Sequence, residues 1–416
     1  MGHVASRDHS IVAKVLATLS GEIVGRAALL GLNFYVANRL GVALYGEMGL
    51  FIAAASMLQP LADLGLSHLA LRNIAQDGGS GRFPLFLGVK LVGSAAFLCL
   101  IAAWSILSHG TLASPGAMLA GILVLVTTWS DFLRQILRAL HLEALEFRMR
   151  TAFVLGSVGG AMIVAFAPAS SGLALLALSL PPLLLCFGYS SALMKILPMR
   201  ATLRGSWDFL LDHRELLLGS MGYLFLVAAI MRLDVWMANH FLGKEATGAW
   251  LSAYNLVYAG AFLAQGLASI ALPRLVGDDR PGRVILWKVW RLQIALASAL
   301  ALGVAIAGPF VFGVIYRAPG FAQAAPVLPL LGLLLANSTL AVLAYHLFLA
   351  ANRIWTYLAL MVPAITLKFL LALWLVPEYG IKGMAITNLL SEGAFCAATI
   401  WLGCRAYLDW RRNTAV

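Results

Sequence analysis

A few ionisable side chains stand inside stretches of the chain that are otherwise apolar. Glu22 and Arg26 lie in "SGEIVGRAALLGLNFYVANRLG", Asp63 in "ADLGLS", Asp131 in "TTWSDFL", Arg232 and Asp234 in "IMRLDVW", and Lys368 and Glu392 in the last two apolar runs. A guanidinium presents a planar fork of donors that suits a phosphate. A carboxylate taken out of water can carry a proton or help hold a cation. Glu22 and Arg26 are four residues apart and share a helix face, which Asn33 continues. On an antiparallel second span, Asp63 falls about as far from the same end as Glu22, so Arg26 is expected to stand between two carboxylates. Arg232 and Asp234 are two positions apart and point about 200° away from each other around a helix, so both cannot face one cavity well. Lys368 and Glu392 each lie near the middle of a run, which makes them possible partners. Basic Arg26, Arg232 and Lys368 oppose acidic Glu22, Asp63, Asp131, Asp234 and Glu392, so formal charge leaves open whether the ligand is an anion or a cation. The bland alternative is that these are ion pairs that fix packing and nothing more.

The elements that must carry these residues follow from composition. Of 416 residues, 61% are hydrophobic and 11% charged, against roughly 25% charged in a soluble domain. A span needs about 20 mostly apolar residues. Twelve such stretches can be read, at about 13–38, 47–72, 86–107, 116–139, 148–167, 172–195, 216–240, 248–272, 288–312, 323–349, 354–376 and 382–405. Turn-rich segments such as "SHGTLASPG", "APASSG" and "YRAPG" separate them, and no connection is long enough for a further domain. With the N-terminus inside, the inner ends and loops collect most of the 29 Lys and Arg, among them Lys90, Arg134, Arg138, Arg150, Arg353, Arg405 and Arg412. The outer side receives only Arg39, Lys244, Arg317 and Lys382. This asymmetry obeys the positive-inside rule, so the net charge of +11 is a topology signal and no nucleic-acid partner is implied. The four cysteines lie in apolar segments without metal-ligand spacing, which leaves no metal or cofactor site to expect. The start "MGHVASRDHSIVAK" lacks the apolar core of a cleaved signal, so the first span is expected to be retained.

An internal repeat organises the spans. "FYVANRLGVALYGEMGLFIAAA" aligns with "VWMANHFLGKEATGAWLSAYNL", matching Asn38 to Asn239, Gly41 to Gly243 and Gly46 to Gly248. Further along, Arg72 of "LALR" matches Arg274 of "ALPR". The same alignment sets Asn33 against Asp234 and Asp63 against Gln265. Both copies start from the same side, so the halves are parallel six-span repeats related by an axis along the membrane normal. The expected division is 1–200 and 201–416, with the polar connection "LPMRATLRGSWDFLLDHRE" as hinge.

In order along the chain, "LGVALYGEMGLF", "LADLGLSHLALRNIA", "VFGVIYRAPGFAQAAPVLPLLGLLLANS" and "LFLAANRIWTYL" resemble the polysaccharide-type flippases of the multidrug/oligosaccharidyl-lipid/polysaccharide exporter superfamily. The resemblance covers nearly the whole chain. It implies an all-α polytopic membrane protein with about twelve spans in two six-helix lobes around a central cavity. It also implies transport of undecaprenyl-diphosphate-linked oligosaccharide repeat units from the cytoplasmic to the periplasmic leaflet, for O-antigen, capsule or exopolysaccharide assembly. The related lipid II flippases usually carry fourteen spans. On this reading Arg26, Lys368, Arg232 and Asn33 bind the substrate, while Glu22, Asp63, Asp234 and Glu392 couple transport to an ion. The expected setting is the bacterial inner membrane with both termini cytoplasmic, as a monomer that meets lipid and other polysaccharide-assembly proteins. Trp207, Trp236, Trp250 and Trp374, near span ends, are expected to anchor at the interface rather than stack on sugars. The alternatives are a cation-coupled multidrug exporter of the same superfamily and a polyprenol-linked glycosyltransferase or polymerase. The enzyme reading lacks a catalytic constellation, because Asp278 and Asp279 of "GDDRPGR" read as a solvated turn.

Overall fold

The computed structural model describes residues 2–66, 82–107, 115–140, 142–197, 202–261, 282–351 and 353–414, with side chains in the first element described from Val24 onward. Among these residues the chain is helical throughout. Helix α1 runs Gly2–Asp63, α2 Phe83–Leu107, α3 Pro115–Ala139, α4 Glu143–Phe166, α5 Ser171–Leu193 and α6 Leu203–Asp212. Then follow α7 Arg214–Tyr258, α8 Gly282–Ile315, a 3₁₀ segment Phe321–Val327, α9 Leu328–Ala350 and α10 Ile354–Thr414. Nine of the helices are long and apolar enough to cross a membrane. Large apolar side chains such as Phe166, at 87% exposure, and Ile306, at 78%, face outward. Water would not tolerate that surface and lipid does.

Three of these elements are far too long for one crossing. At 1.5 Å per residue a straight 62-residue helix would span about 90 Å, three times the apolar thickness of a bilayer. Each is broken by one glycine with positive φ: Gly41 in α1 (φ 74°), Gly243 in α7 (φ 83°) and Gly380 in α10 (φ 59°). An L side chain is strained in that region, so glycine is the residue that lets the chain turn there without a loop. The three breaks divide the nine long helices into the twelve crossings expected from composition. Gly41 and Gly243 are also the pair that the internal repeat matches, so one turn has been kept in both copies.

The chain packs as two compact units, 1–40 with 51–228 and 41–50 with 229–416. The expected boundary at 200 and 201, like Arg72, Gln265 and Arg274 of the repeat alignment, lies outside the described residues. In the first unit Phe83, Phe86, Phe132, Ile136 and Tyr189 of α2, α3 and α5 form a core that also receives Phe209 of α6. Helix α6 lies in the polar connection between the halves and sits on α2: Phe209 meets Phe86 edge-on at 5.5 Å, and Ser206 donates to the Leu85 carbonyl at 2.9 Å. Its other face leaves Trp207 and Leu211 more than half exposed, as in a helix lying in the membrane interface. In the second unit Leu286, Trp290, Leu343, Leu347 and Tyr407 tie α8, α9 and α10 together. There Gly46 and Gly248, the repeat-matched pair, face each other: a Cβ on Gly46 would come within 2.7 Å of the Gly248 nitrogen.

Candidate functional site

Buried charge is concentrated in one cluster in each unit and in one network at a helix turn. In the first unit Asp63 ends α1 and Lys90 lies two turns into α2. Lys90 is completely buried, and its Nζ donates to Asp63 Oδ1 at 2.9 Å. The Phe132 ring lies 5.4 Å from the ammonium. Ser94, one turn on, donates to the Lys90 carbonyl at 2.7 Å and accepts from Trp129 Nε1 at 2.9 Å. Sequence reading placed Lys90 among the inner-end charges and gave it no partner. Its position early in an apolar run made it look like a flanking lysine, but the fold turns it inward to meet a carboxylate from α1. A charge so deep persists only when paired.

The network lies between α3 and α4. Arg138 grips Glu146 with two bonds, Nε to Oε2 at 2.9 Å and Nη2 to Oε1 at 2.8 Å, and Arg150 adds a third at 3.3 Å. Glu146 is 3% exposed, so the two arginines supply the hydrogen bonds that water would otherwise give. Arg150 also rests against α1, since a Cβ on Gly25 would lie 3.2 Å from its Nη1. Asp131, read as an intramembrane carboxylate, is half-exposed and bonds Arg134 on its own helix at 2.7 Å.

In the second unit α7, α9 and α10 converge on Lys368 and Glu392. Lys368 Nζ donates to the Ile230 carbonyl at 2.6 Å and to Glu392 Oε1 at 3.4 Å. Glu392 Oε2 accepts from Tyr258 and from Ser338, each at 3.3 Å, and those two hydroxyls lie 2.9 Å apart. Asp234 is 1% exposed and accepts from Trp250 Nε1 at 2.9 Å and from the Val235 amide at 2.9 Å. It lies within electrostatic reach of Glu392. Tyr254 stacks on Tyr258 at 4.1 Å and leans on Trp250, so a column of three rings walls the cluster. The structure thus pairs Lys368 with Glu392, which lie at matching depths, and adds Asp234 within reach of the carboxylate. Trp250 departs from the interface role assigned to it: it is fully buried because its indole N–H serves Asp234. Trp207 and Trp374 are exposed, at 57% and 69%.

The remaining expected site residues lie on α1 and α7. Arg26 is exposed and Asn33 half-buried on α1, so this stripe lies at an accessible surface rather than in a core. The Glu22 side chain lies outside the described residues. Asp63, expected beside Arg26, is engaged by Lys90. Arg232 is half-buried and forms no hydrogen bond or ion pair among the described residues, while Asp234, two positions on, is enclosed. The participants that sequence reading missed are Lys90, Glu146, Trp250, Tyr258 and Ser338. The one signal available for Lys90 was a lysine with apolar neighbours on both sides in "LFLGVKLVG".

With this geometry in place, solved structures can be compared. The chain superposes on an inward-facing multidrug resistance MATE family transporter of the MOP superfamily with a TM-score of 0.70 and 13% identity, covering 96% of this chain and 99% of the other. It superposes on the lipid II flippase MurJ in an inward closed conformation at 0.64 and 13%, covering 97% and 90%. A MOP superfamily transporter from Pyrococcus furiosus, whose binding pocket has reversed polarity suggesting a different function, matches at 0.60 and 16%, covering 96% of each chain. The chain shares their fold. It is therefore an all-α, MATE-like multi-pass membrane protein with two repeat lobes, and the Gly41 and Gly243 turns stand at matching points of those repeats. No family model and no curated protein matches the sequence.

Proposed function

We propose that this protein is a transporter that flips undecaprenyl-diphosphate-linked oligosaccharide repeat units from the cytoplasmic to the periplasmic leaflet of the inner membrane by alternating access, and is no enzyme. The observation that carries the reading is the exposure of a guanidinium, that of Arg26, on the first span. Each described intramembrane carboxylate is already met by a protein donor: Asp63 by Lys90, Asp131 by Arg134, Asp234 by Trp250, and Glu392 by Lys368, Tyr258 and Ser338. Arg26 is exposed on the first span. A diphosphate needs such a fork of donors, whereas a cationic drug needs an open carboxylate. Pocket polarity varies within this fold, as the reversed pocket of the Pyrococcus protein suggests. The lipid II flippase likeness adds that the fold accommodates a lipid-linked substrate in at least one protein of that name.

On this reading Arg26 and Asn33 receive the diphosphate. Lys368, Glu392 and Asp234 form a coupling cluster, in which the ammonium's hold on Glu392 is the contact that protonation of the carboxylate releases. Asp63 plays the matching part with Lys90, and Glu22 sits beside Arg26. The partners are the lipid-linked oligosaccharide and the enzymes that make and polymerise it.

The test is binding to the detergent-purified chain. A polyprenyl-diphosphate oligosaccharide should bind the parent, and Arg26→Ala should weaken it at least about tenfold, the equivalent of one charge-assisted hydrogen bond. Arg26→Lys should fall between the two. If Arg26→Ala binds as tightly as the parent, the site is elsewhere. If a lipophilic cation binds more tightly than the diphosphate, the multidrug-exporter reading replaces this one.

A further inference from the structure

The second unit holds a cavity that the transport reading does not use. It lies at one end of the helix bundle, between the turn that joins α9 to α10 and the last turns of α10, and measures about 510 Å³. Arg353, Arg405 and Arg412 line it, together with Thr356, Asp409 and Phe348. Three guanidiniums against a single carboxylate leave an excess of positive charge. Arg353 forms no side-chain hydrogen bond or ion pair among the described residues, and Arg405 has only the face of Trp401, 4.6 Å from its ring centre. Arg412 reaches Asp409 at a loose 3.9 Å, with both side chains more than half exposed. The first turn of α10 also opens onto the cavity through Arg353 and Thr356, adding the positive end of a helix dipole.

We propose that this cavity binds the phosphate of an anionic phospholipid headgroup. Convergent arginines match phosphate oxygens with forks of donors, and basic pockets between helix ends are suited to anionic headgroups. The surroundings select the lipid over free phosphate. Trp355, at 66% exposure, and Trp401, at 58%, are next in sequence to the lining residues Thr356 and Leu402, and exposed tryptophans of this kind suit the interface belt. Leu349, in the last turn of α9, and Val362, in α10, also expose apolar surface on which acyl chains can lie. The cavity is larger than one phosphate needs and has room for a glycerol headgroup. The proposal stands whatever substrate the protein transports, because it involves neither Arg26 nor the Lys368 cluster.

The test uses the full chain in mild detergent, with lipid retention measured by native mass spectrometry. Phosphatidylglycerol should be retained at least about tenfold more tightly than phosphatidylcholine of the same chains, and the double variant Arg353→Gln/Arg405→Gln should abolish that preference. Asp409→Asn removes the competing carboxylate and should strengthen retention, a gain that misfolding cannot imitate. Inorganic pyrophosphate is the comparison ligand: competition with phosphatidylglycerol supports a shared phosphate site. Pyrophosphate bound where phosphatidylglycerol is not overturns the lipid as its source. Equal retention of the two lipids, or undiminished phosphatidylglycerol binding by the double variant, overturns the site.

Discussion

Replacing Lys90 by methionine is expected to destabilise the protein more than most other single changes in the first unit. The side chain is completely buried and its partner carboxylate only 8% exposed, with the two charged atoms 2.9 Å apart. Methionine fills most of the lysine volume, so the cost is not a cavity. It is the Asp63 carboxylate left without its ammonium, a loss of about 3–5 kcal/mol when a buried pair is broken from one side. Asp63→Asn should cost a similar amount, because it strands the ammonium beside the Phe132 ring. The double variant Lys90→Met/Asp63→Asn removes both charges and should recover at least about 2 kcal/mol relative to the sum of the singles. The assay is reversible unfolding in mixed micelles with increasing anionic detergent, followed by tryptophan fluorescence. Trp129 is a useful local reporter, since it bonds Ser94 one turn from Lys90. Singles within about 1 kcal/mol of the parent, or strict additivity in the double, would mean that the pair is not energetically coupled and that the reasoning from burial is wrong. A stable double variant that still transports would further assign Asp63 to packing rather than coupling.

Other perturbations separate the remaining parts. Gly46→Ala and Gly248→Ala would each drive a methyl group into opposing backbone, the Lys244 carbonyl for one and the Val42 carbonyl for the other, and should cost about 1–3 kcal/mol or abolish monodisperse elution. Gly222→Ala has nothing within 4 Å of its new methyl and should be neutral or stabilising by up to about 1 kcal/mol in the same assay. Glu146→Gln unhooks Arg138 and Arg150 from their shared carboxylate and should lower stability by about 3 kcal/mol in detergent unfolding. Glu392→Gln keeps the size and the Tyr258 and Ser338 contacts but loses the charge facing Lys368. Proteoliposome transport by that variant should become indifferent to an imposed proton gradient, and a persisting response would remove Glu392 from coupling.

What the sequence determined by itself was whatever depends on counting along the chain. Membrane class and the twelve crossings follow from apolar length, because a bilayer of fixed thickness selects helices by how many residues they bury. The six-plus-six repeat followed from the ordered Asn and Gly matches, and Gly41 and Gly243 turned out to be the backbone positions that only glycine adopts easily. That Arg232 and Asp234 lie on one helix was legible too, since both fall within a single apolar run. Pairing between helices was harder to read, because it depends on rotation and depth that no single segment encodes. Lys368 with Glu392 was found from their matching depths in neighbouring spans. Lys90 was not counted as a partner of Asp63 because it sat near the start of a span, where a lysine ordinarily snorkels to the surface. Only packing showed that α2 turns it inward. The same holds for Trp250, whose indole N–H could anchor at an interface or satisfy a buried acid. The choice was made by a carboxylate sixteen residues earlier on the same broken helix, brought alongside it by the turn at Gly243.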